Sequence, residues 1–204
     1  AKQHIRASMA AAEGGGDLVS RPLYGGALEL SLPEPWLDTE AFMDMVHRPV
    51  PDNQEIFVGP QDEANKDLQP VALFVDILEE TEEVSTPEGL PHFHAIEILR
   101  RDERRAEADA LEPVEAKTDV MLDYLSDRGD VQSAVAEYEA VDMEVCVIRL
   151  KDCSTDLIFT LHGRSRAPGA PSVTDIARSL RIKDWGLFGG GEAEEAEPGR
   201  LLGA

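Results

Sequence analysis

The densest chemistry in the chain lies in one segment, Arg48-Pro49-Val50-Pro51-Asp52-Asn53-Gln54-Glu55-Ile56-Phe57-Val58. Two carboxylates and two amides stand directly before an apolar, strand-like run. Pro51-Asp52-Asn53 is ordinary turn chemistry, in which Asp52 can bond a backbone N–H two residues on. Glu55 can be the solvent-facing residue of a strand start. The same side chains can also present fixed charge and amide groups to a second macromolecule. The two uses are compatible, because a turn entering a strand is a rigid mount.

Other residues offer less. His92 and His94 are two apart at a helix start, so they point to different faces, whereas a metal pair on a helix wants i, i+4 spacing. A solvated or capping role is expected for them, and structural roles for His47 and His162. Cys146 and Cys153 lack the CxxC spacing of zinc or redox sites, and neither has a clearly electropositive neighbourhood. Gly189-Gly190-Gly191 lacks the Lys-Ser/Thr of a phosphate loop, and there is no Gly-x-Ser-x-Gly elbow. Carboxylates are so plentiful that a pair of them signals nothing. No catalytic, metal or cofactor site is expected.

The elements that must position the segment can be read from periodicity. Leu23-Tyr24-Gly25-Gly26 is a turn, and Ala27 to Leu32 alternates as a half-buried strand. A short helix is expected over 39–47, stopped by Pro49 and Pro51. Glu55 to Val58 is a strand. Val71 to Leu78 is apolar except for Asp76 and reads as a central strand. Residues 79–90 form an acidic loop, and Pro91 opens a helix running to about Leu111. Further strands are expected over 120–125 and 134–139. Met143 to Leu150 and Leu157 to His162 have too short a link for anything but an antiparallel hairpin. That hairpin keeps Cys146 and Cys153 from disulfide distance. Ser172-Val173-Thr174-Asp175 is a capping box that opens a last helix. About six strands and three helices with short connections make an α+β fold.

The chain has 204 residues, 42% of them hydrophobic, which fits a single domain with a real core. Residues 1–19 read as a tag remnant and disordered N-terminus with Met9 as a native start, 20–190 as the domain, and 191–204 as an acidic disordered tail. No run of about 18 apolar residues is present, and the start lacks a secretory h-region. Two cysteines suit a reducing compartment. A formal net charge of −22 repels nucleic acid and anionic membranes and favours a basic protein partner. A monomer is expected.

Leu23 to Ala27, Arg48 to Phe57, Thr155 to Leu161 and Ile176 to Phe188 occur in this order, at similar spacing, in the Ran guanine nucleotide release factor family, which the chain resembles over most of 21–190. Pro51-Asp52-Asn53-Gln54-Glu55 is the specific part; residues 79–118 and the tail match poorly. The resemblance implies a PsbP-like α+β fold, a six-stranded mostly antiparallel sheet with helices on both faces. It implies a non-catalytic protein that binds the small GTPase Ran, promotes guanine nucleotide release and supports nuclear import, in nucleus and cytoplasm. The family's acidic patch carries over onto Asp52 and Glu55, with Asn53, Gln54 and Arg48 as neighbours by motif. Two other readings are a PsbP-like photosynthetic lumen subunit and a trafficking adaptor without release activity.

Overall fold

The computed structural model describes residues 17–38, 50–60, 70–118, 120, 122, 125, 130–166 and 170–189. The expected helix over 39–47, Arg48, the acidic tail and nearly all of the N-terminal stretch lie outside these residues. The described strands are β1 (Leu18–Leu23), β2 (Leu28–Pro33), β3 (Leu37–Asp38), β4 (Gln54–Val58), β5 (Ala72–Glu79), β6 (Lys117–Thr118), β7 (Val131–Tyr138), β8 (Met143–Leu150), β9 (Thr155–His162) and β10 (Arg181–Ile182). The described α-helices are α1 (Leu90–Arg101), α2 (Arg105–Ala110) and α3 (Val173–Ser179). β1 begins at Leu18, two residues before the expected domain boundary.

The expected single six-stranded sheet is corrected to two sheets: a seven-stranded one in the order β3-β4-β5-β9-β8-β7-β6, and a three-stranded one in the order β1-β2-β10. Every described pairing is antiparallel. The α+β class holds. After β5 the chain crosses through α1 and α2 to the far edge, then returns as a meander from β6 to β9, which closes against β5.

The large sheet is buried on both faces, and the alternation of side chains along its strands divides two cores. Cys146, Ile148, Leu157, Phe159 and Leu161 face the small sheet and α3, where Leu28, Leu30 and Leu32 of β2 are fully buried beside Ile176. Val145, Val147 and Ile158 face α1, where they meet Leu90, Ala95 and Leu99. Helices therefore cover both faces. β8 is buried at every position because it lies inside the sheet between the two cores, and a run without polar alternation is what that position demands.

The expected long helix after Pro91 is two helices. Glu103 adopts φ 62°, and Arg104 N–H returns to Leu99 O at 2.8 Å while Glu103 N–H bonds Arg100 O at 3.2 Å. That is a Schellman stop made without the glycine that would announce it in sequence. Of the expected strand over 120–125, Val120, Leu122 and Leu125 are described; all three are buried and none lies in a strand. At α3 the expected cap is present: Asp175 N–H donates to Ser172 Oγ at 3.2 Å.

The β8–β9 register sets Arg149 opposite Asp156 on the α1 face. Both are essentially fully buried. Arg149 Nε and Nη2 donate to the two carboxylate oxygens of Asp156 at 2.7 Å each, and Nη1 donates to Val84 O at 2.8 Å. His94 Nε2 lies 3.2 Å from Asp156 Oδ2. The expectation that His94 is solvated is thereby overturned: it faces inward on α1 and meets a buried charge that sequence spacing does not reveal.

Candidate functional site

Pro51-Asp52-Asn53-Gln54 is a β-turn feeding β4. Gln54 N–H donates to Pro51 O at 3.0 Å, so the backbone closes the turn. Asp52 is exposed, and its carboxylate has no partner among the described residues. The sequence allowed Asp52 to close the turn with its side chain; the backbone does so instead, and the carboxylate is left to solvent.

The three residues after Asp52 are anchored in different ways. Asn53 is exposed, yet its Nδ2 donates to Ile77 O at 3.1 Å and its carbonyl accepts from Ile77 N–H at 2.9 Å. Gln54 is buried and its Nε2 donates to Asp76 Oδ1 at 2.7 Å. Glu55 is half-buried, and its Oε1 accepts the backbone N–H of Tyr24 at 2.9 Å. Of the five residues proposed from sequence, Asp52 and Asn53 are thus exposed, Glu55 is half-buried, Gln54 is buried, and Arg48 lies outside the described residues. The alternation along β4 explains the split, since Gln54 turns inward where Glu55 turns toward the Tyr24 loop.

Three residues that sequence reasoning left without a role in the site hold this turn. Tyr24 Oη donates to Val75 O at 2.7 Å and lies 3.2 Å from Asn53 O. Burial, with the nearby Asp76 and Glu55 charges, pushes its phenol well above the ordinary range. Asp76 Oδ1 also accepts from Arg101 Nη1 at 3.1 Å. Burial raises the Asp76 carboxyl above the usual range despite the opposing Arg101 charge and Gln54 bond, and its Oδ2 has no partner among the described residues. One signal was available: a carboxylate inside a run of buried β-branched residues needs a partner. Tyr24 gave no such signal, because its N–H and hydroxyl find partners 31 and 51 residues away.

The arrangement suits charge display better than bond making. The turn carries carboxylates and amides, its backbone is tied to β5, and a carboxylate held on a rigid turn loses little entropy when it meets a cation. Among the described residues no group of three or more His, Cys, Asp or Glu side chains is placed to hold a metal. No described helix is long and apolar enough to cross a membrane.

A protein-family model described as "Mog1: Ran-interacting Mog1 protein" matches residues 21–163, in agreement with the resemblance read from the motifs. Among solved structures, the Saccharomyces cerevisiae Ran-binding protein Mog1p is 17% identical, with a TM-score of 0.50, over 85% of this chain and 100% of that one. A mutant of protein Mog1 is 16% identical with a TM-score of 0.50, over 84% of this chain and 99% of that one. The solution structure of cyanobacterial PsbP from Synechocystis aligns with a TM-score of 0.47 at 14% identity, over 86% of this chain and 98% of that one. At these identities the likeness is one of fold. No curated protein sequence matches the chain.

Proposed function

This chain belongs to the Mog1 family, and on that premise we propose that it binds the small GTPase Ran through the exposed turn at Asp52 and Asn53, beside the half-buried Glu55, and promotes release of its guanine nucleotide. The observation that carries the reading is an exposed carboxylate, Asp52, on a turn whose backbone is tied to β5. Asn53 lies on the same exposed turn; Gln54 supports it from below through Asp76. The formal net charge of −22 disfavours nucleic acid and anionic membranes as partners and favours a basic protein surface.

Release requires no bond chemistry. A protein that binds nucleotide-free GTPase more tightly than the loaded form must, by linkage, lower nucleotide affinity by the same factor. A fixed carboxylate contributes by pairing with a basic group that otherwise holds phosphate, or by disfavouring phosphate nearby. Such an activity would serve nuclear protein import and act in nucleus and cytoplasm.

Release of a fluorescent guanine nucleotide from loaded Ran tests the reading. The protein accelerates release, and Asp52→Ala slows that acceleration while shifting the thermal midpoint by no more than about 2 °C, as expected for an exposed residue. If Asp52 pairs with a desolvated Ran cation, the loss is worth about 2–5 kcal/mol of complex stability; if it sits at the rim, the on-rate and its salt dependence change most. Release equal to that of Ran alone overturns the release reading, and binding without release leaves a Ran-binding adaptor.

A further inference from the structure

We infer that the Tyr24–Gly26 loop is part of the surface that meets Ran, and that Glu55 acts as its positioning residue, holding the loop rather than touching the partner; this rests on the Ran-binding reading above. The first support is connectivity. Tyr24 joins the loop to the candidate turn at three points: its N–H to Glu55 Oε1, and its hydroxyl to Asn53 O and Val75 O. A loop held that way shares the orientation of the turn.

The second support is the loop's shape. Tyr24 takes φ 49°, Gly25 φ 66° and Gly26 φ 92°, all in the left-handed region. A non-glycine residue with positive φ is held at some cost, and the Glu55 bond to its N–H, with the hydroxyl bonds to Asn53 O and Val75 O, secures this one. Gly25 and Gly26 are exposed, and a Cβ built on either meets nothing within 4 Å. The positive φ angles themselves call for glycine, and no neighbour in the fold closes over the bare backbone, so the loop presents it outward. A bare backbone facing outward beside Asp52 leaves room for a partner surface to approach the loop closely.

The third support is the state of Glu55 itself. It is half-buried and one carboxylate oxygen is already occupied by a backbone donor, whereas Asp52 is exposed with no described partner. The two carboxylates of the segment thus divide the work: Asp52 faces the partner and Glu55 fixes the loop beside it.

Three variants test this, each measured by nucleotide release from Ran and by thermal unfolding. Gly25→Asn keeps the left-handed backbone, which Asn tolerates, and adds a side chain where the fold leaves open space. It is expected to weaken Ran association about tenfold or more, as an intruding group at an interface core does, with the fold intact. Glu55→Gln keeps an acceptor for Tyr24 N–H and removes the charge, so it stays within about threefold of the unaltered protein, while Glu55→Ala loses about tenfold. Hydrogen exchange of the Tyr24 amide, read by NMR without Ran, is slow in the unaltered protein and Glu55→Gln and fast in Glu55→Ala. An unaltered protein with no effect on Ran overturns the Ran reading. If the unaltered protein acts on Ran but Gly25→Asn keeps full activity, or Glu55→Gln falls as far as Glu55→Ala, the inference is overturned and the Ran reading stands.

Discussion

Replacing Asp156 by alanine removes both acceptors of the bidentate Arg149 fork in one step. Arg149 has a side-chain exposure of 1% and Asp156 of 0%. After the change the guanidinium keeps Val84 O at 2.8 Å and Glu80 at 3.4 Å, and His94 Nε2 loses its partner. Orphaning one member of a buried pair costs about 3–5 kcal/mol. For a chain of this length each kcal/mol moves the midpoint about 2–4 °C, so a fall of roughly 6–20 °C is expected. Thermal and urea unfolding followed by circular dichroism measure it. The double variant Arg149→Met with Asp156→Leu removes both charges and is expected to be more stable than Asp156→Ala, because no buried guanidinium is left without its bidentate partner. A cost below about 1 kcal/mol for Asp156→Ala, or a double variant no better than it, would refute the claim that breaking the fork leaves a buried guanidinium with only the more distant Glu80 to balance it.

Three further outcomes follow from particular side chains. Burial, the largest influence, lowers His162 to about 4; its folded pKa is depressed, so stability is present above the unfolded value near 6.5 and is lost as pH falls toward 4, by about 3 kcal/mol in all, and His162→Gln flattens the stability profile in that window. Ser172→Ala removes the acceptor at the start of α3 and costs about 1 kcal/mol in urea unfolding. Neither cysteine forms a disulfide, and burial raises the Cys146 thiol to about 12, so a thiol reagent at neutral pH labels half-buried Cys153 in native protein and reaches Cys146 only after unfolding; native labelling of Cys146 would contradict its burial.

Much of the frame was legible in the sequence because it depends on short-range patterns. The β8–β9 hairpin follows from two strand runs and a link too short for a crossover, and it forms where expected. The Ser172 cap follows from one residue and its neighbour three places on. The family motifs are also local strings, and the family match over 21–163 covers three of the four, ending before Ile176 to Phe188. Local strings likewise flagged Asp52 and Glu55, but not their different exposures.

What the tertiary structure decided is where distant residues meet. β3 follows β2 after only Glu34, Pro35 and Trp36, and whether it extends the first hairpin or joins another sheet leaves the periodicity of both strands unchanged; that is why one sheet was expected and two are found. A helix stop at Glu103 was hidden because its left-handed turn is closed by backbone bonds rather than by glycine. His94 looked like a helix-surface residue until the fold set it against Asp156, 62 residues away. The same holds for Glu55, whose partner is the Tyr24 N–H 31 residues before it. Sequence fixes which groups can bond, through their donors, acceptors and charges. Only the packing of the described sheets and helices brings those groups to hydrogen-bonding distance, and that separates the carboxylate left to solvent from the one that anchors a loop.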